Sequence, residues 1–205
     1  MKQILLQQVT ILDKQSKHHQ TVADVLIADG KIQKIAVKIK FDAAETDVID
    51  GKGKFLSIGF FDLNVNFGEP GLETKEEIES GCEAAAAGGI TGIALMPNTE
   101  PSFQSKGEIS YILNKSKGNI VDVFPVGTIS NNREGKNLAE LFDMSRSGAV
   151  AFSDGNKPVA DAGLMSRALL YAKGFDGLII SYAEDAGLAA NGKMNEGVMS
   201  TLLGM

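Results

Sequence analysis

Five short polar stretches carry the side chains that could do chemistry. They are Asn64-Val65-Asn66-Phe67-Gly68-Glu69-Pro70-Gly71, Met96-Pro97-Asn98-Thr99, Val126-Gly127-Thr128, Ser153-Asp154-Gly155-Asn156 and Ser181-Tyr182-Ala183-Glu184-Asp185. Asp154 reads as a lone general base, or as a loop aspartate capping its own turn, a habit of Asx residues. Asn98, after Pro97, reads as a ligand contact or as an ordinary turn residue. Asn64 and Asn66 read as a hydrogen-bonding polar pair or as an altered metal site. Joined by Asp154 and Glu184 they would offer oxygen donors of the kind that Ca²⁺ or Mg²⁺ takes, with little negative charge to hold the ion.

Scarcities exclude other chemistry. The only histidines are His18 and His19, side by side, so several imidazoles cannot converge on one point. They read as a solvated pair on a turn. The single cysteine, Cys82, lies among alanines with no activating base beside it and reads as a small buried hydrophobe. One cysteine allows no internal disulfide and fits a reducing, cytoplasmic setting. Glu73, Glu76, Glu77 and Glu79 suit the N-terminal end of a helix dipole and form no acid/base pair. Lys plus Arg is 20 and Asp plus Glu 26, a net charge of −6. An acidic chain without a basic cluster predicts no nucleic-acid partner and no membrane partner. No apolar run approaches the ~20 residues of a membrane helix.

The elements that must position these stretches fall into two regions. Residues 1–57 alternate apolar and polar, with Asp29-Gly30 and Asp50-Gly51-Lys52-Gly53 between runs. That is a strand-and-hairpin signature, read as a β-sandwich-like module. Residues 58–205 alternate strand and helix. Strands are expected at Ile58 to Asn66, Gly92 to Met96, Val121 to Val126, Ala149 to Ser153 and Leu178 to Tyr182. Helices are expected from a Thr74/Glu77 capping box to Gly88, from Ser105 to Lys117, from Lys136 to Ser147, and from Asp161 to Gly174. The fold class is α/β, and each polar stretch falls at the C-terminal end of a strand, where open sheets and barrels both place their sites. Neither a G-x-G-x-x-G after a strand nor a G-x-x-x-x-G-K-[ST] is present, which removes the main support for a nucleotide-binding open sheet.

Gly59-Phe60-Phe61-Asp62-Leu63-Asn64-Val65-Asn66-Phe67-Gly68-Glu69-Pro70-Gly71 resembles the strand G-F-I-D-x-H-x-H-x-R-E-P-G of the dihydroorotases and related cyclic amidohydrolases. Ala84 to Gly89, Met96 to Thr99, Ala149 to Asp154 and Met194-Asn195-Glu196-Gly197 match further segments in order, and residues 1–57 match the family's usual start. The resemblance implies a partial amidohydrolase-type (β/α) barrel of about five βα units, truncated, beside an N-terminal β-module. It implies a place in pyrimidine biosynthesis, and zinc-dependent hydrolysis of a cyclic amide. There the ion lowers the pKa of its water toward ~7 and a carboxylate passes the proton on.

This chain departs from that pattern at the positions that matter. The first two metal histidines fall on Asn64 and Asn66, the carboxylate-gripping arginine on Gly68, and a further histidine on Tyr182. Asn98 matches the substrate-contacting asparagine and Asp154 a metal-ligating aspartate. Neutral amide oxygens are poor zinc ligands, so no metal ligand and no cofactor are expected for this sequence. The expectation is therefore a dihydroorotase-like protein that has lost catalysis and binds or scaffolds, as non-catalytic relatives do with aspartate carbamoyltransferase. The alternative is an active cyclic amidohydrolase with an altered metal site. Five strands leave open edges, so self-association or a protein partner is expected to cover the arc. A small ligand of the dihydroorotate type is a further candidate partner.

Overall fold

The computed structural model describes residues 3–189 and 192–204. It divides into two compact units, residues 1–59 and 60–205. In the first unit the strands are β1 (Gln3–Leu12), β2 (Val22–Ala28), β3 (Lys31–Ala36), β4 (Thr46–Asp50) and β5 (Phe55–Ser57). They form one mixed sheet in the order β3-β2-β1-β4, with β5 also on β1. The sequence reading is of a sandwich-like module over 1–57; a single sheet is what these residues form. Asp29 and Gly30 both have positive φ, as the tight β2–β3 hairpin requires. A bulge in β1 falls at Gln7-Gln8. Buried Asp24 holds it, its carboxylate accepting from the Gln8 and Ile39 amides at 3.1 and 2.9 Å. Leu5, Val9, Ile11, Ala23 and Val25 are buried along β1 and β2.

The second unit is a parallel sheet in the order β6-β7-β8-β9. Its strands are β6 (Phe60–Val65), β7 (Ile90–Leu95), β8 (Asp122–Gly127) and β9 (Ala151–Phe152). Between and after them lie α1 (Ile78–Ala87), α2 (Lys106–Lys115), α3 (Leu141–Arg146), α4 (Ala162–Lys173), α5 (Ala186–Ala189) and α6 (Val198–Leu203). Alternation along β7 sorts its two faces. Ile93 and Leu95 pack with Ile78, Cys82, Ile109 and Ile112 of the helix layer. Ala94 and Met96 join Val126, Ala151 and Ile180 on the other side. Burial on both faces explains why β7 runs apolar from Ile93 to Leu95. This is the parallel βα sheet of a partial barrel, as expected, with the helix layer on one face.

Several element boundaries differ from those the sequence predicts. Helix α1 begins at Ile78, and Glu77, its N-cap, makes no side-chain cap. The Thr74 box is replaced by buried Glu69, whose Oε2 accepts from Ile78 N at 3.0 Å. Helix α3 starts five residues after Lys136, because Asn137 to Ala139 pair with Ile129 to Asn131 instead, through Asn131 N to Asn137 O and Ala139 N to Ile129 O, both 2.9 Å. Predicted strand five is only a bridge, Ile179 to Phe152. Its partner β9 is two residues long and offers one rung. By contrast Asp161 caps α4 as expected, accepting from Gly163 and Leu164 N at 2.7 and 3.0 Å, and Ser105, where the second helix is expected to begin, caps α2. Among the described residues no helix is long and apolar enough to cross a membrane.

Candidate functional site

The C-terminal ends of the second unit's strands surround a cavity of about 460 Å³. Leu63, Met96, Leu178 and Ile180 give it an apolar wall, and Asn64, Asn66, Asn98, Ser153, Asn156 and Tyr182 supply its polar groups. Each is where its element ends. The Asn64 backbone N–H donates to Asp62 Oδ1 at 3.0 Å as β6 finishes. Val65 O takes the Met96 amide at 2.8 Å, which brings the ends of β6 and β7 side by side. Asn98 Nδ2 then donates to Asn66 Oδ1 in a close contact. The other amide atom, Asn98 Oδ1, is buried and has no hydrogen-bond partner among the described residues. Buried acceptors are rarely left so. Tyr182, half-exposed, donates to Glu184 Oε2 at 3.2 Å.

Asp154 lies apart from this cavity wall. It is 2% exposed, and its carboxylate turns toward the loop after β8. Oδ1 accepts from Ile129 N and Ser130 N, both at 2.9 Å, and Oδ2 from Ser130 Oγ at 2.5 Å. A carboxylate so engaged ties two strand ends together, and it does not cap its own turn. The residue that faces the amides is its neighbour. A Cβ on Gly155 would lie 2.0 Å from Asn98 Oδ1. Sequence reasoning passed over Gly155 because glycine offers no functional group to notice.

Gly68, at the position of the expected arginine clamp, is buried in a folded-back loop. Its N–H donates to Glu76 O at 2.9 Å and its carbonyl accepts from Leu72 N at 2.8 Å. A Cβ there would stand 2.0 Å from the Leu72 carbonyl oxygen, so no larger side chain fits this backbone. Arg133, which the sequence reading did not single out, projects from the loop after β8. It donates through Nε to Asp154 O at 3.0 Å and through an Nη to Asn156 Oδ1 at 2.6 Å. Burial pulls its guanidinium below the usual value, and the Asp154 charge opposes that.

The donor set does not fit zinc. Zn²⁺ is held by thiolate, imidazole and carboxylate, and the cavity offers neutral amides, two serine hydroxyls and a phenol. Among the described residues no three of His, Cys, Asp and Glu stand close enough to hold an ion. The expected cation set of Asn64, Asn66, Asp154 and Glu184 loses its buried acid, because the Asp154 oxygens accept from Ile129 and Ser130 instead. His18 and His19 belong to the first unit, in the turn between β1 and β2. Cys82 is buried on α1, and burial raises its thiol pKa against a weak Asn119 hydrogen bond at 3.6 Å, so it stays protonated.

A family model described as dihydro-orotase-like matches residues 53–205. The dihydroorotase of Syntrophus aciditrophicus is 48% identical over 183 residues, 89% of this chain and 43% of that protein. That of Geobacter metallireducens is 42% identical over 203 residues, 98% of this chain and 47% of its own length. The chain thus spans less than half the length of these curated relatives. Among solved structures, L-hydantoinase (dihydropyrimidinase) from Arthrobacter aurescens superposes with a TM-score of 0.73 at 25% identity, over 90% of this chain and 41% of that one. A D-hydantoinase gives 0.67 at 28%, over 89% and 40%. A barrel sheet with its strand ends gathered at one mouth, and this degree of identity, lead to one conclusion: the chain belongs to the dihydroorotase-like family.

Proposed function

We propose that this chain is a dihydroorotase-like protein of pyrimidine biosynthesis that binds or scaffolds without hydrolysing cyclic amides. The observation that carries the reading is the mouth itself. Where hydrolysis calls for imidazoles and a carboxylate around an ion, Asn64, Asn66, Asn98, Gly155 and Tyr182 stand there. Asp154, the remaining acid, has both oxygens committed to Ile129 and Ser130. Water without a metal keeps a pKa near ~15.7 and attacks an amide poorly. The job left to such a fold is contact, with a second copy or with a protein such as aspartate carbamoyltransferase covering the exposed apolar strand β6.

The relatives' name favours a second reading, an active cyclic amidohydrolase with altered metal binding. Metal analysis and a ring-opening assay separate the two. Zinc is offered in equimolar amount, unbound metal is removed, and dihydroorotate consumption is followed. Less than a tenth of an equivalent of zinc and no turnover above buffer support the first reading. Stoichiometric zinc with turnover rejects it.

A further inference from the structure

Beside the mouth lies a second cavity, of about 540 Å³ and of opposite character. Lys75, Arg133 and Lys157 line it, with Glu100 as the one acid in its wall. In a chain of net charge −6 such a cationic hollow stands out. Arg133 is its fixed element. Its guanidinium is half-buried and anchored by two neutral acceptors, the Asp154 carbonyl and the Asn156 amide oxygen. No carboxylate forms an ion pair with it among the described residues. Asp154 contributes negative charge nearby, but its oxygens are taken by Ile129 and Ser130. A guanidinium has five N–H donors, so two bonds leave the rest of the fork free. The backbone that presents it is unusual as well: Asn132 and Arg133 both have positive φ, 54° and 56°. Such strained backbone clusters at ligand clamps.

We propose that the hollow between Lys75, Arg133 and Lys157 binds an oxyanion, the phosphate or carboxylate group of a small molecule. A pre-anchored guanidinium gives the planar, two-pronged recognition such groups favour, and the flanking lysines add charge. The inference does not rest on loss of catalysis at the mouth.

The test is titration of the full chain with inorganic phosphate and, separately, with succinate, at constant ionic strength, followed by calorimetry and backbone amide shifts. Saturable binding is expected, with shifts at Asn132 to Gly135 and Asn156-Lys157. Arg133→Gln is expected to weaken it at least tenfold and Arg133→Lys less. Should Arg133→Gln fail to fold, Lys75→Gln with Lys157→Gln, both exposed, serves in its place with at least a fivefold loss. Lys34→Gln, in the first unit, is expected to leave affinity unchanged. Phosphate binding without succinate binding assigns a phosphate group, and the converse a carboxylate. Non-saturable titrations with both anions, or an equal loss in Lys34→Gln, would overturn the proposal.

Discussion

Glu69 shows how one side chain can hold three segments. Its Oε2 receives the first amide of α1, and its Oε1 receives Tyr111 Oη at 2.7 Å and Lys115 Nζ at 3.2 Å from α2. Burial by itself would push this carboxyl up. The bonds from Ile78, Tyr111 and Lys115, with the lysine charge, outweigh burial and hold it below its usual range. A carboxyl depressed by folding adds stability above its unfolded pKa, about 4.3, and that stability is lost as pH falls through the folded value. Tyr111 runs the other way. Its bond to Glu69, then burial and the carboxylate charge, push it up to about 12. Its contribution is complete below the unfolded pKa of about 10 and fades as pH rises toward 12. Glu69→Gln should therefore cost about 1–3 kcal/mol at pH 7, where a charge-assisted set is lost. The gap to the parent should close as pH is lowered below about 4. Urea melts at a series of pH values measure both.

At the level of elements, the sequence disclosed what local chemistry controls. Ser105 and Asp161 cap their helices because the signal is a hydroxyl or carboxylate beside its own first turn. Thr74 fails because the loop from Phe67 to Glu77 folds back on itself: its own Glu69 takes the first amide of α1, and backbone bonds at Gly68 pin the fold. Long-range pairing of 137–139 with 129–131 likewise shortened α3 and is invisible to helical periodicity. The candidate site was legible as polar strand ends carrying amides in place of imidazoles. The orientation of Asp154, the crowding at Gly155 and the anchoring of Arg133 were not, since each depends on residues more than twenty positions away. The Gly68 loop yields a prediction. Gly68→Arg, which writes the family's clamp back into the sequence, should lower the melting temperature by several degrees, because a Cβ collides with the Leu72 carbonyl. It should confer no affinity for dihydroorotate by calorimetry. A stable variant that gains affinity would show that the loop yields easily.

Across the whole molecule the second unit keeps one apolar margin in view. Phe60, Phe61 and Leu63 on β6 are 66%, 49% and 71% exposed. Phe61 packs tilted against Phe124 with ring centroids 5.5 Å apart, yet half its surface still meets solvent. Among the described strands β6 pairs only with β7, which leaves its other backbone edge free. Free edges with large apolar side chains attract further strands or surfaces. In isolation the chain is expected to associate at micromolar concentration by light scattering. Phe60→Ser with Leu63→Ser should shift it toward the single-chain mass, and an unchanged distribution would locate the contact elsewhere.

Gly155 limits how the mouth can be altered. With φ at +64° and Asn98 Oδ1 occupying the space a Cβ would need, it admits no side chain while that amide holds its place. Any side chain there demands that Asn98 move first, and Asn98 is itself tied to Asn66. Reshaping this wall therefore takes paired changes: a substitution at 155 that keeps the fold must come with a smaller residue at 98, and the single change alone is expected to disturb the amide pair.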